Sequence, residues 1–237
     1  MSDLNENKAA DKSGTQTTDP VITDELKKEA AESVNQVKEI IKNVDIKEEA
    51  KKTHGFLKDM LVDPIGKIKT IAGNTAEFFH VSVIILALWV AASFLSVVLA
   101  YTGRTWVFGN VIQNIFSIVM STISPVVAVL VMSAIAYLFL KDKIKQITPV
   151  VIIIIIASTP RVMSAVINIL PSLISTSSRI VSPITSFLYI VSVILVYFGL
   201  KALSGENKDE VFFKKYMMIQ GAYFVTMFVL AFLSIHI

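Results

Sequence analysis

Apolar residues dominate five successive stretches in the last two thirds of the chain, at about 81–101, 117–140, 149–171, 181–200 and 216–236. An α-helix rises about 1.5 Å per residue and the hydrocarbon core of a bilayer is about 30 Å thick, so about 20 residues are needed to cross it. Each stretch meets that length. The pattern predicts an all-α, polytopic membrane protein with five transmembrane helices. Before the second stretch, residues 105–116 hold Trp106, Phe108, Gln113 and Asn114, the mixed character of a membrane interface.

The pattern ahead of the first stretch differs. Residues 1–20 are small and polar without periodicity, which predicts a disordered tail. Residues 21–55 predict a cytoplasmic amphipathic helix. Thr23 is placed to cap it, and Leu26, Ala30, Val34, Val37, Ile41 and Val44 recur at three- and four-residue steps. Such a stripe suits either a solvated helix resting on a neighbour or a docking site for a protein partner. Residues 56–80 predict a juxtamembrane interfacial segment. Pro64 interrupts it, and Ile65, Ile68 and Ile71 follow with Lys67 and Lys69 between them. Lysines beside an apolar stripe, followed by Phe78 and Phe79, suit contact with the membrane surface.

Charge adds orientation. Counted from the segment before the first span through the four connecting loops, lysine and arginine number 3, 1, 3, 1 and 4. Basic residues favour the cytoplasmic side, so strict alternation predicts five crossings, a cytoplasmic N-terminus and a C-terminus on the outer face of the plasma membrane. The net charge of +3 hides an asymmetry: residues 1–80 carry 12 lysines and 15 acidic residues, the remainder 10 basic and 4 acidic ones. The basic groups lie in short loops rather than in a patch with aromatics, which argues against nucleic acid as a partner. Membrane lipids are the expected contact.

Alanines and a serine at four-residue spacing in the first span (Ala87/Ala91 and Ala92/Ser96/Ala100) predict close helix packing, within the chain or in a homo-oligomer. Pro125 and Pro160 fall inside spans and predict kinks. Each follows a hydroxyl residue, Ser124 or Thr159, able to satisfy backbone carbonyls that a proline frees.

One charge stands inside a span. In "VVIIIIIASTPRVMSAVINIL" (150–170), Arg161 lies 12 residues beyond Pro149 and 10 before Pro171, near the expected bilayer centre. An intramembrane arginine costs at least about 2.5 kcal/mol on insertion scales. The usual partner is a carboxylate, yet beyond the N-terminal 80 residues the acids are Asp142, Glu206, Asp209 and Glu210, all in loops predicted to be cytoplasmic. The remaining candidates are carbonyls freed by Pro160, Asn168, Gln220, Thr226, water, or a phosphate. Arg161 is therefore either a site for an anionic ligand or lipid headgroup in a hydrated cavity, or a side chain that snorkels to the outer surface beside Arg179.

Other chemistry is excluded or unsupported. The chain has no cysteine, and His54, His80 and His236 share no metal-ligand spacing, so no metal or other cofactor is expected. No HExxH, GxSxG, GxxxxGK[ST] or GxGxxG motif occurs. Without an intramembrane carboxylate pair, proton-coupled transport loses its usual machinery.

With "DPIGKIKTIA" (63–72) before the first span, "ASTPRVMSAVINILP" (157–171) in the third and "KALSGENKDEVFFKKYMMIQGAYF" (201–224) leading into the last, the layout resembles the bacterial five-span branch of the YIP (Ypt-interacting-protein) family. The cysteine zinc ribbon found in many bacterial relatives is missing. The resemblance implies a non-enzymatic membrane adaptor or scaffold that organises other membrane or envelope components through its tail and bundle. A subunit of a transporter or oligomeric channel, and an immunity protein against a membrane-active agent, are the alternatives.

Overall fold

The computed structural model describes residues 46–102, 111–169 and 178–235; the predicted tail at 1–20 and the stripe from Leu26 to Val44 lie outside them. The described residues are helical. Helix α1 (Ile46–Val62) runs unbroken through the boundary expected between residues 55 and 56. It stops because Pro64 has no N–H to continue it and keeps Asp63 out of the helical conformation, at φ −138° and ψ 76°. Asp63 then starts helix α2 (Pro64–Gly73): its carboxylate accepts from Gly66 N at 2.9 Å, with Pro64 in the first turn. A Cβ on Gly66 would lie 2.0 Å from Asp63 Oδ2, so the cap needs glycine there. "DPIG" is thus a compact helix start.

A short 3-10 turn (Thr75–Phe78) leads into α3 (Phe79–Thr102), followed by α4 (Val111–Leu140), α5 (Ile147–Ala157), α6 (Thr159–Ile167), α7 (Ser178–Ser204) and α8 (Asp209–Ile235). Five stretches are long and apolar enough to cross a membrane: Thr75–Leu99, Ile115–Leu140, Ile147–Ile167, Val181–Ser204 and Asp209–Phe232. The chain is an all-α, multi-pass membrane protein. Against the expected spans, the third ends earlier and the fifth begins earlier.

The third span is the axis of the bundle. α5 packs on α2, α3, α4 and α7, and Ile152 through Ala157 are all buried. A helix that is apolar on every face is one surrounded by protein, which accounts for the isoleucine run. α8 is the least enclosed span; it packs mainly on α4 and turns Phe224, Val225 and Phe228 outward.

The α2 end of the bundle gathers the α4–α5 and α7–α8 connections. Lys143 Nζ lies 4.0 Å from Glu206 Oε2, and Lys201 pairs with Asp209. Gly205, at φ 62°, closes α7 in the left-handed conformation that glycine adopts without strain.

α2 turns its apolar stripe into the protein. Ile68 and Ile71 are both 0% exposed, packed into the core beside α5 and α7. Burying one such side chain from water contributes about 1.5–3 kcal/mol. Gly199 of α7 allows the approach, since a Cβ there would stand 2.6 Å from Ile153 Cγ2 and 3.1 Å from Ile68 Cγ1. Lys67 pairs with Asp59 at 2.9 Å, and Lys69 Nζ sits 5.5 Å from the Phe198 ring centre. Phe78 packs on Phe56 at 6.0 Å and Phe79 on His80 at 5.8 Å.

The small-residue stripe also divides. Ala92 is buried, whereas Ala87 and Ala91 are exposed on α3. The side chain of Ala100 lies outside the described residues, and Ser96 lines a cavity described below. The reason is geometric: residues 92 and 96 fall on one face of α3, and 87 and 91 roughly a third to a half turn away.

Candidate functional site

The third span breaks at Ser158, between α5 and α6. Pro160 cannot donate to the Ile156 carbonyl, and the Arg161 N–H turns to Ser158 O at 2.8 Å rather than to Ala157 O. Two carbonyls are thereby freed, and two hydroxyls meet them. Thr159 Oγ1 donates to Ile156 O at 2.6 Å, and Ser192 Oγ, from α7, donates to Ala157 O at 3.0 Å. Ser192 is 0% exposed. The carbonyls freed at Pro160 therefore have partners other than Arg161. At Pro125 the outcome differs: α4 runs through it unbroken.

The break sets the depth of Arg161. It lies 14 residues beyond Ile147 and 6 before Ile167, or about 21 Å and 9 Å along the helix axes. That places it nearer the end of α6, toward the end of the bundle opposite α2; Pro171 lies outside the described residues.

Arg161 forms part of the wall of a cavity of about 330 Å³ with Trp89, Ser93, Ser121, Ser124, Ser164, Asn168, Tyr189 and Tyr223. An adjoining cavity of about 490 Å³ shares Ser93, Ser121, Ser124, Ala165, Asn168 and Met227, and continues along the far halves of α3, α4 and α8 past Ser96, Met120 and Leu230. Among the described residues no carboxylate, histidine or lysine lines either chamber. The guanidinium carbon stands 4.5 Å from the centre of the Tyr189 ring, a cation–π contact. Arg161 Nε is shielded from solvent and has no hydrogen-bond partner among the described residues. A guanidinium beside hydroxyls and an amide, with no counter-charge among the described residues, is suited to hold an anion.

Of the four polar residues expected around the arginine, Asn168 is brought into its cavity. Gln220 shares a void of about 10 Å³ with Arg161, yet its Nε2 donates to Tyr216 Oη at 2.6 Å. Thr226 bonds back to Ala222 O of its own helix at 2.8 Å and lines neither chamber. This is the intrahelical bond by which a threonine satisfies its hydroxyl in an apolar helix. The side chain of Arg179 lies outside the described residues.

Sequence reasoning missed the serines of α3 and α4, Trp89, Tyr189 and Tyr223. The available signal was the amphipathic aromatics Trp89, Tyr189 and Tyr223 on three spans, with serines a turn away at Ser93 and Ser186 in two of them. Among the described residues no cluster of three or more metal-ligating side chains occurs. No protein-family model, curated protein or solved structure matches this chain.

Proposed function

We propose that the protein acts by binding: it is a non-enzymatic adaptor or scaffold of the plasma membrane whose helix bundle holds an anionic ligand at Arg161. The observation that carries this reading is Arg161 Nε, buried and without a hydrogen-bond partner among the described residues, beside a cavity rich in hydroxyl groups. Among the described residues the lining supplies hydrogen-bond donors but no carboxylate, histidine or lysine to act as a base, which favours binding over catalysis. The alternation of loop charges supports a cytoplasmic N-terminus, and with it a cavity opening toward the outer leaflet. In this reading residues 21–55 engage a protein partner on the cytoplasmic side, as a YIP-type adaptor would.

Trp89 lines the cavity and reports on it. With Trp106 replaced by Phe, Trp89 becomes the sole tryptophan. The reading predicts a saturable change in its fluorescence when the purified protein is titrated with phosphate-bearing probes, inorganic phosphate or short-chain phosphatidylglycerol, and none in Arg161→Gln. No change with either probe would overturn it. Crosslinking and pull-down from native membranes, with residues 21–55 present or deleted, tests the adaptor role; an unchanged partner set counts against it.

A further inference from the structure

We infer that the anion is the phosphate of a membrane phospholipid, which enters the cavity sideways between α7 and α8. This inference rests on the binding role proposed for Arg161 and names its ligand. Three observations favour a lipid over a dissolved anion.

The first is how α7 and α8 are joined. Their contacts concentrate toward the α2 end, where Tyr197 meets Phe212 and Tyr216 at 5.3 and 5.2 Å and Tyr216 Oη donates to Val193 O at 2.6 Å. Further along, Tyr189 on α7 and Tyr223 on α8 both line the Arg161 chamber. Tyr189 is 49% exposed although its ring covers the guanidinium. The arginine is thus screened from the outer surface of the bundle by one aromatic side chain. Tyrosine, apolar along its ring and polar at its tip, suits the level where headgroups meet acyl chains.

The second is depth. Arg161 lies about 9 Å from the end of its span, so a headgroup phosphate has only a short distance to sink. The third is the mixed lining. The adjoining chamber shares Ser93, Ser121 and Ser124 with the one at Arg161 and adds Ser96, but it also adds Met120, Ile123, Val127 and Leu230. Hydroxyls beside apolar side chains match an amphiphile, and the added apolar side chains offer a free phosphate ion nothing. A planar guanidinium can engage two phosphate oxygens at once, which lysine cannot reproduce.

The test uses the full-length chain in nanodiscs of phosphatidylcholine doped with phosphatidylglycerol, with bound lipid counted by native mass spectrometry after release. Parallel samples receive inorganic phosphate alone, or diacylglycerol, which has the chains without the phosphate. Wild type is expected to retain phospholipid and not diacylglycerol. Retention should fall about tenfold or more in Arg161→Gln, the scale of losing a charge-assisted hydrogen bond. Arg161→Lys, which keeps the charge and guards against misfolding, should fall between them, and Tyr189→Ala should speed lipid exchange. Binding of inorganic phosphate without phospholipid would overturn the lipid inference while leaving the anion site standing. Binding of neither overturns both. Equal retention of phospholipid and diacylglycerol, or equal retention by wild type and Arg161→Gln, would remove the phosphate at Arg161 as the cause.

Discussion

Ser192→Ala removes one hydroxyl, and its consequence can be worked from the break in the third span. Ser192 Oγ is the partner at 3.0 Å of the Ala157 carbonyl, and both residues are 0% exposed. Leaving a buried acceptor unsatisfied costs about 1–3 kcal/mol, although interhelical hydrogen bonds in membrane proteins contribute about 0.6 kcal/mol on average and at most about 1.7. A loss of about 1–1.5 kcal/mol is expected, read from the unfolding free energy in mixed micelles titrated with dodecyl sulfate. The mechanism demands more than a loss. Pro160→Ala restores an N–H for Ile156 O and lets α5 run on into α6, where the Arg161 N–H can reach Ala157 O. In that background Ser192→Ala should lose less, giving a coupling of about 1 kcal/mol between the two sites. Strictly additive effects, or a Ser192→Ala protein as stable as wild type, would refute the idea that this hydroxyl stabilises the break.

Gly199→Leu should separate α2 from α5 and α7, because even a Cβ would stand 2.6 Å from Ile153 Cγ2; faster proteolysis within α1 and α2 and a destabilisation of about 1–3 kcal/mol, the usual result of overpacking, would show it. Gly66→Ala should disrupt the Asp63 cap and cost about 1 kcal/mol, much as Asp63→Ala does, with little further loss in the double variant. Single cysteines at Lys143 and Lys208, in two connections at the α2 end, should both resist a membrane-impermeant thiol reagent in intact cells; labelling of either would reverse the orientation assigned from loop charge.

The spans were legible because one physical requirement, about 20 apolar residues, leaves a continuous mark on the chain. Arg161 was legible for the converse reason, as a charge where none is tolerated cheaply. What surrounds it was not. Ser93, Ser121, Ser124, Tyr189 and Tyr223 come from four helices, and only packing brings them to one cavity. Periodicity shows that Ile68 and Ile71 share a face but not what that face meets, since lipid and protein select the same residues; here it is α5 and α7. Pro160 announced a disturbance of the helix. That the break falls at Ser158, with Ser192 of another span completing it, depends on a contact 35 residues apart in sequence.

The central claim is that Arg161 gives an accessible cavity a preference for anions. The chain has no cysteine, so a cysteine introduced at Ser124, which lines both chambers, is the only thiol. Its rates of reaction with an anionic and a cationic methanethiosulfonate of similar size measure the local potential directly. The account predicts faster reaction with the anionic reagent, and reversal or loss of that preference when Arg161→Gln is added. A cysteine that reacts with neither reagent, or with the same preference after the arginine is removed, would contradict it.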